Sequence, residues 1–429
     1  MSPLGVVISI VLVDVLGFSI VMPLLAPFAR EYGLSAGQIG MLFAAYPMCQ
    51  LVAGPILGRL SDRHGRRPLL IVSQAGTALS FLVLGLSRDF TVMLLARMLD
   101  GASGGNILVA QAYVADVTTP KNRARGLGLI GMAFGVGFVL GPLLGGVLLE
   151  LPVAPSWQLR LPFLVAAGFS TVAWVLVLTR LPESLPADED SRRAARVLSW
   201  RGLVDTMTLP RVGLLVAVSS LIVLAFAGLE GTFSLFLRDR LHWETKRAAF
   251  VFAFLGFVSA FVQGGMIRRL VPRFGEPRLI VAGTTLLALG LAGLALVAGG
   301  PALLATTLVV GIGHGLANPT TSGLLSRITP PGEQGAVFGT LSSAQTLARM
   351  TNYLIANLLF KSGGPSAPFW EAAAIAAVAL MLALIVLGRM GGAEESWSLA
   401  SSTDHHHQQA QRVGSGASGR HEPDEPRFP

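Results

Sequence analysis

The sequence predicts an all-α membrane protein whose twelve transmembrane helices form two pseudo-symmetric six-helix bundles. Of its 429 residues, 52% are hydrophobic and only 13% are charged, whereas about a quarter are charged in a soluble domain. Apolar runs long enough to cross a bilayer recur along the chain, and the second half repeats a motif of the first. The composition, the runs and the repeat together exclude a soluble globular domain.

Each element follows from the rule that about 20 apolar residues in helical conformation cross a bilayer. The first set of predicted spans covers residues 5–28, 38–58, 68–87, 91–113, 125–149 and 159–179. The second set covers residues 211–236, 248–268, 278–298, 302–326, 335–360 and 369–388. The first span lacks a basic leader and a small-residue cleavage site, so we expect a retained helix rather than a signal peptide.

Polar segments divide the chain into four parts: an N-terminal bundle (1–180), a cytoplasmic linker (181–210), a C-terminal bundle (211–390) and a disordered cytoplasmic tail (391–429). The linker is rich in Arg, Asp and Glu, and the tail is rich in Ser, His, Gln and Gly. The tail histidines lack a scaffold that would fix ligand geometry, and Cys49 is the only cysteine. We therefore predict no metal site and no disulfide.

Basic residues predict the orientation. Short loops on one side of the spans carry eighteen Lys and Arg residues, and those on the other side carry eight. The positive-inside rule places the richer side, and with it both termini, in the cytoplasm. The short outer loops are compatible with a bacterial inner membrane. The net charge of +8 is spread over loops and forms no continuous basic face, which argues against nucleic-acid binding.

An internal repeat supports the division into halves. The stretch GRLSDRHGRRPLL from Gly58 aligns with RRLVPRFGEPRLI from Arg268 at an offset of 210 residues, and Thr119-Pro120 aligns with Thr329-Pro330 at the same offset. Duplicated halves predict a pseudo-two-fold axis along the membrane normal. They also predict a substrate site near the midplane between the halves.

The loop between the second and third spans carries glycines, an acid and several arginines: Gly58, Asp62, Arg63, Gly65, Arg66 and Arg67. The glycines permit a tight turn, and the acid can form charge-assisted bonds that hold one arrangement and release another. Asp116, at the end of the fourth span, can pair with these arginines. The loop resembles the GxxxDRxGRR pattern of the major facilitator superfamily, which implies a cytoplasmic gate. The alternative is a basic loop that merely obeys the positive-inside rule.

The fifth span is rich in glycine and contains one proline: Gly131, Gly135, Gly137, Gly141, Pro142, Gly145 and Gly146. Gly137, Gly141 and Gly145 are spaced four residues apart, so they share a helix face and permit close helix contact. The proline favours a bend in the helix. The run resembles the antiporter signature of the drug-exporting branches of the superfamily. A helix that only packs tightly is the alternative.

Charged residues lie inside the first and fourth spans. Asp14 is followed by Gly-Phe and Met-Pro in a pattern that resembles the first helix of the tetracycline exporters. A carboxyl group in hydrocarbon most often faces a cavity, and burial favours its neutral form, which suits proton exchange.

Arg97 and Asp100 share a face of the fourth span. Arg97 matches the membrane-embedded arginine of the superfamily, which implies a role in proton transfer. The alternatives are a permanently paired Asp14 and an Arg97–Asp100 pair that only neutralises itself.

The second half carries Glu230, which is either a further proton carrier or site for a cationic substrate, or a solvated residue near the outer end of its span. Six polar residues are predicted to line the substrate cavity: Asn106, Gln111, Gln263, His314, Gln345 and Arg349. Hydrogen bonding between helices is the alternative for Gln263 and Gln345. A structural, hydrogen-bonded core residue is the alternative for the histidine.

The resemblance implies a proton-coupled, alternating-access exporter of small amphipathic molecules such as drugs or tetracycline-like compounds. It implies protons, the lipid bilayer and a small-molecule substrate as partners, a monomeric state, and no cofactor beyond the proton gradient. Hydrolase and nucleotide-binding motifs are absent from the sequence, so no enzyme is predicted. A proton symporter that imports a sugar or organic anion, and a non-transporting sensor or scaffold on the same fold, are the alternatives.

Overall fold

A computed structural model of the chain describes residues 2–184, 210–330 and 334–388. Within these ranges the chain is helical, and we number its twelve long helices in order. They are α1 Pro3–Val21, α2 Ala36–His64, α3 Arg66–Leu86, α4 Phe90–Val117, α5 Pro120–Leu148, α6 Pro155–Arg180, α7 Pro210–Leu241, α8 Thr245–Phe274, α9 Glu276–Ala295, α10 Gly300–Ile328, α11 Gln334–Gly363 and α12 Ala367–Gly388. The all-α fold class is confirmed.

Eleven of these helices in the described ranges are long and apolar enough to cross a membrane. The remaining helix, α11, has 30 residues and is less apolar because it carries polar groups along its length, such as Gln345, Arg349 and Asn357. The first predicted span is interrupted in the structure. Here α1 ends at Val21, and a turn that contains Pro23 leads into a short helix, Leu25–Glu31.

Local sequence signals set the helix starts. Ser35 begins α2 with a capping box, in which its hydroxyl accepts from the Gln38 amide and the Gln38 side chain accepts from the Ser35 amide. Asp89 caps α4 by accepting from the amides of Thr91 and Val92. These caps supply hydrogen-bond partners for helix-end amides that have no partner within the helix.

The repeat in the sequence has a counterpart in the backbone. Gly65 separates α2 from α3 at φ +104°, and Gly275 separates α8 from α9 at φ +75°. Both glycines occupy the left-handed region that side chains disfavour, so the repeated loop needs glycine at this position in each half. We call the face of the protein at these two turns the 58–67 face, and the opposite face the Arg30 face.

The two halves contact each other toward the Arg30 face. Arg30 pairs with Asp239 at 3.1 Å, and the Ser234 hydroxyl donates to the Pro23 carbonyl at 2.6 Å. The ring centroids of Phe43 and Tyr353 are 5.2 Å apart.

The predicted domain limits are only partly covered by the described residues. In the structure α6 ends at Arg180, but the following residues still pack on the first half, since the Tyr113 hydroxyl donates to the Pro182 carbonyl at 3.0 Å. Most of the predicted linker and the whole predicted tail, including its histidines, lie outside the described residues. Their assignment stays a prediction.

Candidate functional site

Two adjoining cavities lie between the halves. One measures about 290 Å³ and is mostly apolar, and the other measures about 330 Å³ and is more polar. Four residues line both, so the cavities form one central site: Met22, Phe134, Phe138 and Arg349. The site lies where the repeat predicts it, between the two six-helix halves.

A buried polar cluster from α1 and α4 faces the second cavity. The α4 helix is interrupted by a turn at Gly104, which separates Phe90–Ser103 from Asn106–Val117. After this turn the Asn106 side chain donates to Oδ2 of Asp14 at 2.6 Å. The other oxygen of Asp14 is buried and has no hydrogen-bond partner among the described residues. One acidic oxygen is therefore held by an amide, and the second has no such partner.

Arg97 and Asp100 form a buried ion pair beside this acid. Nη1 of Arg97 lies 2.7 Å from Oδ2 of Asp100, and both side chains are almost completely enclosed. Arg97 also donates to the Leu42 carbonyl at 3.3 Å and lies 5.1 Å from the ring centroid of Tyr46. The guanidinium is thus compensated by an acid, a carbonyl and an aromatic face, which together lower the cost of burying its charge.

A second polar cluster lies in the C-terminal half and faces the first cavity. Glu230 pairs with Arg349 at 3.1 Å and accepts from the Tyr353 hydroxyl at 2.8 Å. The Glu230 side chain is 9% exposed, so it is a buried acid rather than a solvated one. His314 stacks on Phe226 with ring centroids 3.9 Å apart, in the wall of the same cavity.

The predicted cavity residues are divided between the two cavities. Asn106 and Gln345 line the polar cavity, and Gln263 and His314 line the apolar one. Gln345 also donates to the Ser219 hydroxyl at 2.8 Å, which is the helix-to-helix bond offered as its alternative role. Gln111 is a correction, because it is exposed and lines neither cavity.

The residues predicted for the gate come together at the 58–67 face. Arg66 is the buried centre of this cluster, since its guanidinium pairs with Asp62 and, at 3.1 Å, with Asp116. The Arg67 side chain donates to the Leu178 carbonyl at 2.8 Å. Arg63 is exposed, and a Cβ on Gly58 would have no described atom within 4 Å. The predicted gate residues therefore centre on one arginine.

Sequence reasoning missed two acids. Glu183 accepts from the backbone amides of Arg66 and Arg67 at 2.8 and 3.1 Å, which caps the start of α3. Its position just after the sixth predicted span was the only feature of the sequence that pointed to this role. Glu371, half-buried in α12, accepts from the Asn352 side chain at 3.4 Å. Glu371 lies only two residues inside the start of the predicted twelfth span, and this position gave no clear signal.

The α5 glycines have different neighbours along the helix. A Cβ on Gly137 or Gly141 would collide with Val15 or Ser19 of α1, and one on Gly145 would approach Leu24. These three glycines therefore allow α5 to lie directly against α1, on the shared face that the spacing predicts. The remaining predicted residues divide between two surroundings: Gly146 packs against Phe250, while Gly131, Gly135 and Pro142 line the apolar cavity.

Gly141→Ala is expected to destabilise the protein strongly, because its Cβ would lie against the backbone of Ser19 and Ile20, which cannot move aside. Gly128→Ala is the matched control, since no described atom lies within 4 Å of that Cβ. The control should be neutral or more stable, by up to about 1 kcal/mol from helix propensity. Thermal unfolding in detergent measures both, and equal unfolding temperatures would contradict the close α1–α5 packing.

Two sets of six helices around a buried polar cavity define a membrane transporter. The chain belongs to the major facilitator superfamily, whose family model matches residues 7–298 and 266–404. Members of this family are transporters, so the chain is not an enzyme. The predicted resemblance to tetracycline exporters is confirmed by sequence similarity to them.

Among similar proteins, the class C tetracycline resistance protein of Escherichia coli is 30% identical over 408 residues, which cover 94% of this chain and 99% of that protein. Human major facilitator superfamily domain-containing protein 10 is 30% identical over 77% of this chain and 74% of its own length. The crystal structure of the human organic anion transporter MFSD10 (TETRAN) matches with a TM-score of 0.67 at 26% identity, covering 89% of this chain and 98% of that one.

Proposed function

We propose that this transporter is a proton-coupled exporter of small amphipathic molecules that works by alternating access. One observation carries the proposal: Asp14 lies in the wall of the central cavity with one oxygen unpartnered, and none of the described basic residues forms an ion pair with it. The neighbouring Asp100 is already paired with Arg97. Asp14 is therefore the acid of this cluster that can gain and lose a proton without breaking an ion pair.

Coupling between proton movement and substrate movement depends on which side of the membrane is open to Asp14. A cavity that faces the cytoplasm lets Asp14 release its proton there, and a cavity that faces outward lets it take up a proton from the other side. If substrate and proton favour different states of Asp14, proton entry and substrate exit become linked. The cavity walls suit an amphipathic molecule, since phenylalanines line both parts and the charged side chains of Asp14, Arg97 and Asp100 line the more polar one.

The relatives support this proposal. Several of them are named tetracycline resistance proteins, and the match to the class C protein covers nearly the whole of both chains.

The proposed gate, formed by Arg66 with Asp62 and Asp116, would hold the cytoplasmic side closed. The α5 helix, which packs on α1 and faces α8, would serve as the hinge. We place the protein in the inner membrane as a monomer, with both termini in the cytoplasm.

An organic anion is the second candidate substrate class. Arg349 lines both cavities, and a similar solved structure is described as an organic anion transporter. The pairing of Arg349 with Glu230 disfavours this class, because an incoming anion must compete with a carboxylate already held at 3.1 Å. The importer alternative depends on the same arginine and is disfavoured for the same reason.

The function is tested in inverted membrane vesicles that carry an imposed proton gradient. A pH-sensitive dye reports proton release when each member of a panel of cationic, neutral and anionic amphipathic compounds is added. We expect release with some members of the panel and none in vesicles without the protein. Proton movement in the same direction as the substrate would favour the importer. No proton movement with any compound, from a well-folded sample, would contradict proton-coupled export.

A further inference from the structure

One acid inside the membrane spans has no part in the function proposed above. Glu371 lies four residues after the start of α12, a helix that is long and apolar enough to span the membrane. It is half-buried, and none of the described basic residues forms an ion pair with it. Its carboxyl group is contacted instead by Asn352 of α11, whose side chain donates to Oε2 at 3.4 Å. An acid without a cation is costly inside a span and marks a candidate functional site.

The contact with Asn352 shows how deep this acid lies. Asn352 is completely buried, and it precedes Lys361 by nine residues along α11. The charge of Lys361, in the last turn of the helix, belongs at the membrane surface. At about 1.5 Å per residue, Asn352 lies about 14 Å below that surface, or roughly half the thickness of the hydrocarbon core. Glu371 is therefore near the bilayer midplane, where coupling ions bind in secondary transporters.

A glycine of α7 makes room for this contact. A Cβ on Gly228 would lie 2.9 Å from Nδ2 of Asn352 and 3.6 Å from Oε2 of Glu371. The same Asn352 nitrogen donates to the Leu224 carbonyl, one turn earlier in α7, at 2.7 Å. The amide thus lies where α7, α11 and α12 meet, and the acid reaches it at a position where α7 carries no side chain.

Asn352 can bind Glu371 in either protonation state. Its nitrogen, which faces Oε2 of the acid, can donate to an ionised carboxylate. Its oxygen is buried without a hydrogen-bond partner among the described residues, and it can accept from a protonated carboxyl group. A buried oxygen without a partner costs free energy, which a purely structural bond between helices does not explain.

The N-terminal half also contains an acid that is held by an asparagine. There, α4 carries Arg97, which pairs with Asp100, and Asn106, which donates to Asp14. One acid is thus neutralised by a cation, and the other is held by an amide. The acid without a cation, Asp14, is the proposed proton carrier of that half.

The C-terminal half has the same division on other helices. Here α11 carries Arg349, which pairs with Glu230, and Asn352, which donates to Glu371. Glu371 is the acid without a cation. Because Arg349 lines both central cavities and precedes Asn352 by one turn, a movement of α11 between inward and outward states displaces both contacts together.

Glu371 is isolated from other titratable groups within the part of the chain that the structure describes. It is the only titratable residue of Ala367–Gly388. The titratable groups inside the spans of α7 and α11 bind one another instead: Glu230, Arg349 and Tyr353. A proton can therefore neutralise Glu371 without breaking an ion pair.

We propose that Glu371 is a second proton-binding site, so that each transport cycle carries two protons, one on Asp14 and one on Glu371. This inference rests on the proposed proton-coupled export and adds its stoichiometry. Asp14 stays indispensable, because it lies in the cavity wall where substrate and proton compete. Glu371 lines neither central cavity, so its loss changes the number of protons and leaves substrate binding intact.

The number of protons is measured as a substrate gradient at zero net flux. The protein is reconstituted in liposomes, and potassium with valinomycin holds the membrane potential at zero. The probe is the compound that gives the largest response in the vesicle panel. With two protons per molecule, we expect one pH unit to sustain about a 100-fold concentration ratio, since each proton contributes a factor of about ten. Glu371→Gln should sustain only about a tenfold ratio, because glutamine carries no exchangeable acidic proton.

Glutamine keeps the shape of glutamate and can still accept from Asn352, so this variant should fold and bind the probe normally. Glu31→Gln is the matched control, since Glu31 is exposed and lines neither central cavity. It should keep the higher ratio, and Glu371→Asp, which retains a titratable group, should keep most of it. The lower ratio in the unmodified protein, or an unchanged ratio in Glu371→Gln, would overturn the second site. Failure of the export proposal instead appears as no proton-driven gradient in the unmodified protein.

A hydrophobic carbodiimide gives a readout that is independent of transport. Dicyclohexylcarbodiimide reacts with protonated carboxyl groups in apolar surroundings, and mass spectrometry locates the modified residue. In detergent we expect modification of Glu371 and Asp14 at acidic pH, which falls as the pH rises and the groups ionise. The exposed Glu31 should stay unmodified. Modification of Asp14 without Glu371 at every pH would overturn the second site.

Discussion

Asp14→Asn is expected to abolish proton-coupled transport and to leave the protein folded. Asparagine has nearly the shape of aspartate and can still accept the hydrogen bond that Asn106 donates at 2.6 Å. It cannot ionise, so it can neither release a proton to one side nor take one up from the other. Dye recovery in inverted vesicles should fall to the level of vesicles that lack the protein. Exchange of labelled substrate for unlabelled substrate, without a gradient, should persist.

Asp89→Asn is the control for this experiment. Asp89 undergoes the same chemical change at an exposed helix cap outside the cavities, and asparagine caps a helix about as well as aspartate. It should behave as the unmodified protein. If Asp14→Asn recovers as well as this control, the proton site lies elsewhere, and the Arg97–Asp100 pair or Glu230 becomes the next candidate.

The helical fold and the charged members of the α1–α4 cluster could be predicted because their signals are local. Apolar runs fix the spans, and the repeated Gly65 and Gly275 mark equivalent turns in the two halves. Arg97 and Asp100 are three residues apart on one helix, so their pairing follows from helix periodicity alone. The acid Asp14 stood out because an uncompensated charge inside an apolar run is costly.

The interactions between distant segments could not be predicted in this way. Glu230 and Arg349 are 119 residues apart, and Glu183 and Arg66 are 117 residues apart. A single sequence gives no measure of which helices become neighbours, so these partners were either left open or missed. Glu371 lies at a predicted span boundary, where an acid normally attracts no attention because boundaries are usually solvated.

Gln111 illustrates why depth is harder to predict than face. It lies one turn beyond Ile107, which lines the polar cavity, so periodicity places both on one face of α4. Gln111 is nevertheless exposed and lines neither central cavity. Whether a residue on that face lines a cavity depends on how the helices pack around it, which no local pattern records.

Removing one partner of the Arg97–Asp100 pair is expected to unfold much of the protein. Both side chains are nearly inaccessible, with Arg97 1% and Asp100 3% exposed. Arg97→Met leaves the carboxylate buried without its cation, and Asp100→Leu leaves the guanidinium buried without its acid. Breaking a buried pair in this way costs about 3–5 kcal/mol. Thermal unfolding in detergent should show a large loss of stability in each single variant.

The double variant Arg97→Met/Asp100→Leu separates stability from coupling. It removes both charges, so no buried ion is left uncompensated, and apolar side chains of similar size fill the space. We expect its unfolding temperature to return close to that of the unmodified protein while proton-coupled transport stays impaired. Such a result assigns the pair a role beyond neutralising itself. Restored transport in the double variant would instead show that the pair serves only to neutralise its own buried charges. Proton exchange would then depend on Asp14, with no basic residue beside it.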